Sequence, residues 1–380
     1  MRNRSFIYIA TIALLLSACS ETEIDNGQHQ GLMPVLFSAG NTEAAVTRAT
    51  ASYMPQNSRF VCSMFFHAGA TDTNLSAFYS DKPSPDVNMT TAWLRINNAT
   101  GNAVYWNSSY TNVTDENLDD YGFDKNAKCF YWQNRLNHIF LALADYNKLS
   151  SDDATGNSTL KIYPDVDTQY KDQYMLAYDL TRGEKKAMTD QPDPILAVET
   201  ISPAGATPEA NRVKLFFKHQ FSQIQVNLKS SQDESANVTS PQIEKVELLG
   251  VAEKAYVPYC INPDGKVPAT TFEPTDVDSP FEMFDRSTVP TGYLKSYEGI
   301  AFGTLHGIRI TWRESNAENA VKHVATYKAL DESHKNLKGG NKYIYNMELR
   351  RSVIAQVTAV IKPWETDDTG YTASGTIVKK

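Results

Sequence analysis

Apolar and polar residues alternate with a period of two, or gather in short apolar blocks, along most of this chain. Sustained 3.6-residue spacing is rare. Successive side chains of a strand point to opposite faces, so alternation predicts half-buried strands and short apolar blocks predict strands covered on both sides. Met33, Val35 and Phe37 alternate with Pro34, Leu36 and Ser38, which predicts a first strand. Phe60 to Phe66 and Ile139 to Ala144 are apolar enough to be buried on both faces. Tyr174 to Leu180, Ile243 to Val251, Tyr343 to Leu349 and Val353 to Ile361 read as further strands. Phe221 to Leu228 alternates as a half-buried strand should, and Ile308 to Trp312 with His323 to Tyr327 reads as a pair. Asn262-Pro263-Asp264-Gly265 predicts a hairpin turn between Tyr256–Ile261 and Val267–Phe272, because Gly accepts the positive φ needed there. Residues 70–128 are loop-rich. Three aromatic islands, Ala92-Trp93-Leu94, Val104-Tyr105-Trp106 and Phe130-Tyr131-Trp132, are either core strands near a sheet edge or exposed platforms for stacking a sugar.

Many short strands with frequent turn chemistry predict an all-β protein, organised as two β-sandwiches in series. The stretch from Asp190 to Pro208 is rich in proline flanked by polar residues and marks the expected boundary. It divides the chain into an N-terminal sandwich over 49–205 and a C-terminal one over 206–380.

The chain opens differently. Arg2 and Arg4 precede an apolar run, Phe6 to Leu16, and Leu16-Ser17-Ala18-Cys19 follows. That order is a secretory signal, and the run falls short of the roughly 20 apolar residues a membrane-spanning helix needs. The small residues before Cys19 resemble the lipobox of bacterial lipoproteins. The resemblance implies a signal peptide over 1–18, a lipidated (palmitate-bearing) Cys19 and attachment to the outer membrane. Each buried acyl methylene contributes about 0.8 kcal/mol, so several chains would hold the protein there. Residues 19–48 then form a tether and the first strand.

A net charge of −8 leaves no basic face for phosphates and excludes nucleic acid as a partner. Apart from Cys19, the cysteines are Cys62, Cys129 and Cys260, odd in number and widely spaced, so buried free thiols are expected with at most one bridge. HExxH, GxSxG, phosphate-loop and EF-hand patterns are absent, and none of the seven histidines has a close partner at ligand spacing. The sequence therefore predicts no enzyme, no cofactor and no metal. His219, between Lys218 and Gln220, reads as a packed or capping histidine. Asp119-Asp120 and Asp367-Asp368 read as solvated turns, since paired acids do proton chemistry only when burial separates their pKa values.

Three features together resemble the fimbrillin (Mfa-like) family, the subunits of bacterial type V pili. They are the lipobox leader, the segment Leu215-Phe216-Phe217-Lys218-His219-Gln220-Phe221-Ser222-Gln223-Ile224-Gln225-Val226, and the stretch from Leu337 to Trp364. In the second, Phe221 stands where the family pattern has Leu. The third carries a Gly-rich turn, Tyr343-Ile344-Tyr345-Asn346, then Val357-Thr358-Ala359-Val360-Ile361 and Trp364. The resemblance implies two transthyretin-like β-sandwiches in series and a place at the cell surface, in a fimbrium. It also implies processing after an arginine by an Arg-specific protease, here Arg48-Ala49. That cut would release the strand of Met33, Val35 and Phe37 and open a groove for a neighbour's strand. Arg48 also fits a plain solvated loop. The C-terminal tail, with Tyr371, Ala373, Ile377 and Val378, is either a donor strand or the sandwich's own last strand. Other pilus subunits, a host or bacterial surface ligand and the outer membrane are the implied partners. The alternative is a surface lipoprotein adhesin that binds glycans or proteins without polymerising, using Trp93, Trp106 and Trp132 as platforms.

Overall fold

The computed structural model describes residues 33–41, 52–66, 91–106, 129–149, 175–230, 241–261, 265–328, 332–350, 353–364 and 375–376. These residues form an all-β protein of four sheets. The first sheet holds β1 (Phe37–Asn41), β2 (Ser52–Tyr53), β3 (Arg59–Phe66), β4 (Thr91–Ile96), β5 (Asn102–Tyr105), β6 (His138–Asp145), β8 (Pro194–Ile201) and β9 (Val213–His219). Its order is β2-β1-β5-β4-β3-β6-β8-β9, and β1 also pairs with β9. That last pairing closes seven strands into a barrel, with β2 attached beside β1.

Period two explains the barrel wall. In β9, Val213, Leu215, Phe217 and His219 are buried while Lys214, Phe216 and Lys218 are exposed. β3 and β6 are covered on both faces, as their apolar blocks predict. Phe60, Cys62, Met64, Phe140, Ala142 and Ala144 fill the barrel. Val61, Phe65, Ile139, Leu141 and Leu143 face outward into a second core, shared with a three-stranded sheet. That sheet, β13-β12-β7, is built from β7 (Met175–Asp179), β12 (Lys254–Pro258) and β13 (Thr271–Phe272).

Two further sheets share a third core. One has the order β15-β16-β10-β20-β21-β22, from β10 (Ser222–Ser230), β15 (Phe284–Asp285), β16 (Lys295–Ala301), β20 (Asn341–Leu349), β21 (Ile354–Pro363) and β22 (Gly375–Thr376). The other has the order β14-β11-β17-β18, from β11 (Gln242–Val251), β14 (Pro280–Glu282), β17 (Gly303–Arg313) and β18 (Lys322–Lys328), with β19 (Asn336–Leu337) on β17. Central β10 departs from the half-buried expectation. Its polar face is buried as well, because Gln225 donates to Asn227 Oδ1 at 2.9 Å and Asn227 donates to Asn346 Oδ1 at 2.8 Å. Ser296 donates to the same Asn227 oxygen at 2.7 Å, so the amides largely satisfy one another.

Sheet membership does not change at residue 206. The Pro-rich stretch contains β8, because Pro194 stands at a strand's first position, where a missing N–H is tolerated. β9, beyond it, pairs with β8 and β1. The predicted hairpin centred on 262–265 has its register, Ala255↔Phe272 and Tyr256↔Thr271, but its strands pair only at their far ends. Cys62 and Cys260 are buried thiols and Cys129 a half-buried one, none of them in a disulfide.

Candidate functional site

The seat of β1 is the most specialised feature of the barrel. Along one edge β1 runs antiparallel to β5 (Phe37↔Ala103, Ser38↔Asn102), and along the other it runs parallel to β9, from Phe37↔Val213 to Asn41↔Phe217. Its approach is also fixed: Val35 N donates to Phe130 O at 3.0 Å and Trp132 N donates to Met33 O at 3.1 Å. Val213 N donates to Leu36 O at 2.8 Å and Ala39 N to Gly101 O at 2.8 Å.

Two side chains reach for its carbonyls. The Tyr105 hydroxyl donates to Val35 O at 2.8 Å, and Arg212 Nη1 donates to Phe37 O at 3.0 Å. Burial pushes the Tyr105 phenol well above its ordinary pKa, so it stays a donor. Val35 and Phe37 are fully buried, Ala39 nearly so, and Met33 is half-buried. The Phe37 ring meets Phe140, Tyr105 and Phe130 edge-on, with centroids 5.4, 5.9 and 6.4 Å away. The three residues predicted for a releasable strand are thus together, in the barrel's lumen. Arg48, Ala49, Cys19, Tyr371, Ala373, Ile377 and Val378 lie outside the described residues.

The tryptophans settle one open alternative. Trp106 and Trp132 are each 5 % exposed, and Trp93 is half-buried against Trp106 at 5.8 Å. Arg59 covers the Trp106 ring at 4.2 Å. The first island lies in β4, the second runs from β5 to the residue after it, and the third carries the isolated bridge Tyr131↔Pro34. Trp106 and Trp132 are buried and offer no face for a sugar.

A second cluster sits at the end of the barrel. His219 Nδ1 lies 2.8 Å from Asp193 Oδ1, with both side chains at most 2 % exposed. The imidazole stacks on Trp364, centroids 4.1 Å apart and planes 14° apart, and Tyr146 meets it edge-on at 5.0 Å. Trp364 N donates to Gly340 O at 2.9 Å, and Gly340 N donates to Phe221 O at 2.9 Å. A Cβ on Gly339 would fall 2.4 Å from the Gln220 carbonyl oxygen, so only glycine lets the turn lie this close. The segments around His219, Gly339-Gly340 and Trp364, far apart in sequence, therefore meet at one point. His219 is packed and hydrogen-bonded, as the sequence predicts.

Sequence reasoning missed the acids beside it. Asp145, 1 % exposed, accepts from Asn147 N at 3.0 Å and Asp193 N at 3.2 Å through Oδ1, while Oδ2 has no partner among the described residues. Burial, then the neighbouring Asp193 charge, push its carboxyl up to about 7. Burial also raises Asp193, opposed by His219. The sequence held no spacing to find this pair, since 48 positions separate its members.

Residues 91–364 match the family described as Fimbrillin-like. The match includes β5 and β9 but begins after β1. No curated protein matches the chain. Among solved structures, a candidate cell adhesion protein from Bacteroides ovatus is 13 % identical with a TM-score of 0.52, over 89 % of this chain and 100 % of that one. One from Bacteroides uniformis is 13 % identical with a TM-score of 0.50, over 87 % and 99 %. The tip fimbrial protein Mfa3 from Porphyromonas gingivalis is 10 % identical with a TM-score of 0.40, over 87 % and 99 %.

Proposed function

Because this chain belongs to the fimbrillin-like family, we propose that it is a structural and adhesive subunit of a cell-surface fimbrium, joined to its neighbours by exchange of the strand that closes its barrel. Its work is mechanical and involves no catalysis. The leader exports the chain, Cys19 holds it at the outer membrane, and cleavage between Arg48 and Ala49 frees the segment that carries Met33, Val35 and Phe37. The barrel with its overlying sheet, and the sandwich of six strands on five, are in this reading the two transthyretin-like domains, with β9, β12 and β13 crossing into the first.

One observation carries the reading: all five residues of β1 pair with β9 and the first two also with β5, strands far from it in sequence, while Gly40 and Asn41 pair with β2. A strand with that connectivity can leave without unmaking a tight hairpin. The connection from β1 to β2 contains Arg48. Cutting it removes the tether that kept the strand at high effective concentration. A competing strand can then take the seat. Each regained hydrogen bond contributes about 0.5–1.5 kcal/mol net, and each seated side chain of Val or Phe size roughly 1.5–3 kcal/mol. An exchanged strand is therefore held firmly without covalent chemistry, as in strand addition generally. The tail with Tyr371, Ala373, Ile377 and Val378 is the donor in this reading. Its Gly375 pairs with Ala359 of β21 in the single chain, and donation gives up that short pairing.

The test is N-terminal sequencing of surface material, with electron microscopy of sheared filaments, for the natural chain and Arg48→Ala. We expect a mature start at Ala49 with filaments for the first, and an uncut chain without filaments for the second. Filaments and a mature length unchanged by Arg48→Ala would overturn the reading.

A further inference from the structure

The cluster around His219 has the parts of a switch, and none of them is needed for strand exchange. It joins four chain segments: the end of β6 (Asp145), the start of β8 (Asp193), the end of β9 (His219) and the residue after β21 (Trp364). We propose that this junction is a proton-operated latch that holds Trp364 against the barrel when the buried acids carry at most one negative charge, and lets go when both are charged.

The geometry gives the reason. Asp193 and Asp145 are each 1 % exposed, and the backbone N–H of one donates to the carboxylate of the other. Two anions so placed repel strongly in a medium that screens poorly. His219 answers one of them, through the 2.8 Å contact to Asp193 Oδ1. Asp145 Oδ2 has no partner among the described residues. A proton taken from solvent onto that oxygen removes the second charge and leaves the Asp193–His219 pair balanced. Trp364 is the part placed to respond, being half-buried and held by its stack on His219, one backbone hydrogen bond and packing at the margin of the second core.

The charged and titratable groups of the elements that meet here are Asp145, Tyr146, Lys148, Asp193, Lys218, His219, Lys338 and Lys362. Lys148 acts on Asp145 in the lowering direction, more weakly than burial and Asp193 raise it. Lys218 and Lys338 are exposed. With the Asp145 carboxyl pushed up to about 7, the sign is fixed. A folded-state pKa raised above the ordinary carboxylate value adds stability at pH below that ordinary value, and the contribution is lost as pH rises through the folded value. The latch is closed in mild acid and open in mild base.

The experiment is hydrogen exchange on the full chain at pH of about 6 and about 8.5, corrected for intrinsic rates, because a tenfold change in protonation follows each pH unit near the transition. We expect protection at 340–341 and 357–364 to fall roughly tenfold or more between the two, while β17 and β18 stay constant. Asp145→Asn, which cannot ionise, should keep those segments protected at both pH values. His219→Gln should leave them open at both. Equal protection of the natural chain at both pH values, or a full pH response surviving in Asp145→Asn, would overturn the proposal. Should His219→Gln fail to fold, the comparison of the natural chain with Asp145→Asn decides alone.

Discussion

The barrel and the sandwich are both all-β with apolar cores, yet the strands that close them differ in length and grip. In the sandwich, nine-residue β10 lies between β16 and β20, with seven register pairs to the first and eight, in parallel, to the second, more than 110 residues away. In the barrel, the last gap is filled by five residues from near the chain's start, between partners more than 60 and more than 170 residues away. Both closures are remote in sequence, but the sandwich's closing strand is long and gripped along both edges, whereas the barrel's is short, with two pairs to β5 and two to β2 beside its five to β9. In the proposed exchange the short strand is the one that leaves, giving up its pairs to β5, β9 and β2.

Phe37→Ala attacks this contrast most directly. It empties the barrel where Phe37 touches Phe140, Tyr105 and Phe130. The loss should be about 3–5 kcal/mol, read by denaturant unfolding. Hydrogen exchange should speed up in β5 and β9 and stay unchanged in β10 and β20. Equal acceleration in both regions would mean that closure is shared and the contrast is false.

Tyr105→Phe sharpens the contrast on a smaller scale. It removes only the donor to the buried Val35 carbonyl and should cost about 1–2 kcal/mol. In a chain cut after Arg48, the same change should speed loss of the free strand, measured by gel filtration after cleavage. A cut variant that keeps the strand as long as the natural protein would show that the hydroxyl does not grip it. The smallest effect is expected on the sandwich's outer face. Glu244 pairs there with Arg313 at 2.6 Å and Lys322 at 2.7 Å, all three in contact with solvent. Glu244→Gln should leave the unfolding midpoint unchanged within error, because exposed pairs are screened by water and salt.

What could be read from the sequence follows the range of the interaction that decides it. Phe60 to Phe66 and Ile139 to Ala144 declared themselves as doubly buried strands because burial on two faces leaves no polar positions. Ile308 to Trp312 and His323 to Tyr327 were legible as a pair, and they meet as Ile310↔Ala325. Partners chosen across the fold were not legible. Nothing near Phe37 announces Val213, and nothing near Asp145 announces Asp193. The Trp islands were ambiguous because a buried ring and a sugar platform have the same local pattern; their neighbours in the fold decide it, Arg59 and Trp93 for Trp106 and His138 and Phe140 for Trp132. The prolines from 190 to 208 looked like a linker because the pattern cannot show that Pro194 opens a strand.

The parallel pairing of β1 with β9 also sets a timetable for the newborn chain. About 170 residues lie between Asn41 and Val213, which at roughly 5–20 residues per second takes on the order of 10–30 s to synthesise. For that interval the first strand to be made has no lasting partner on one side, and contacts this far apart along a chain form slowly. The earliest segment of the barrel is therefore among the last to settle, and a chain kept extended until β9 arrives is one that can still be threaded through a pore.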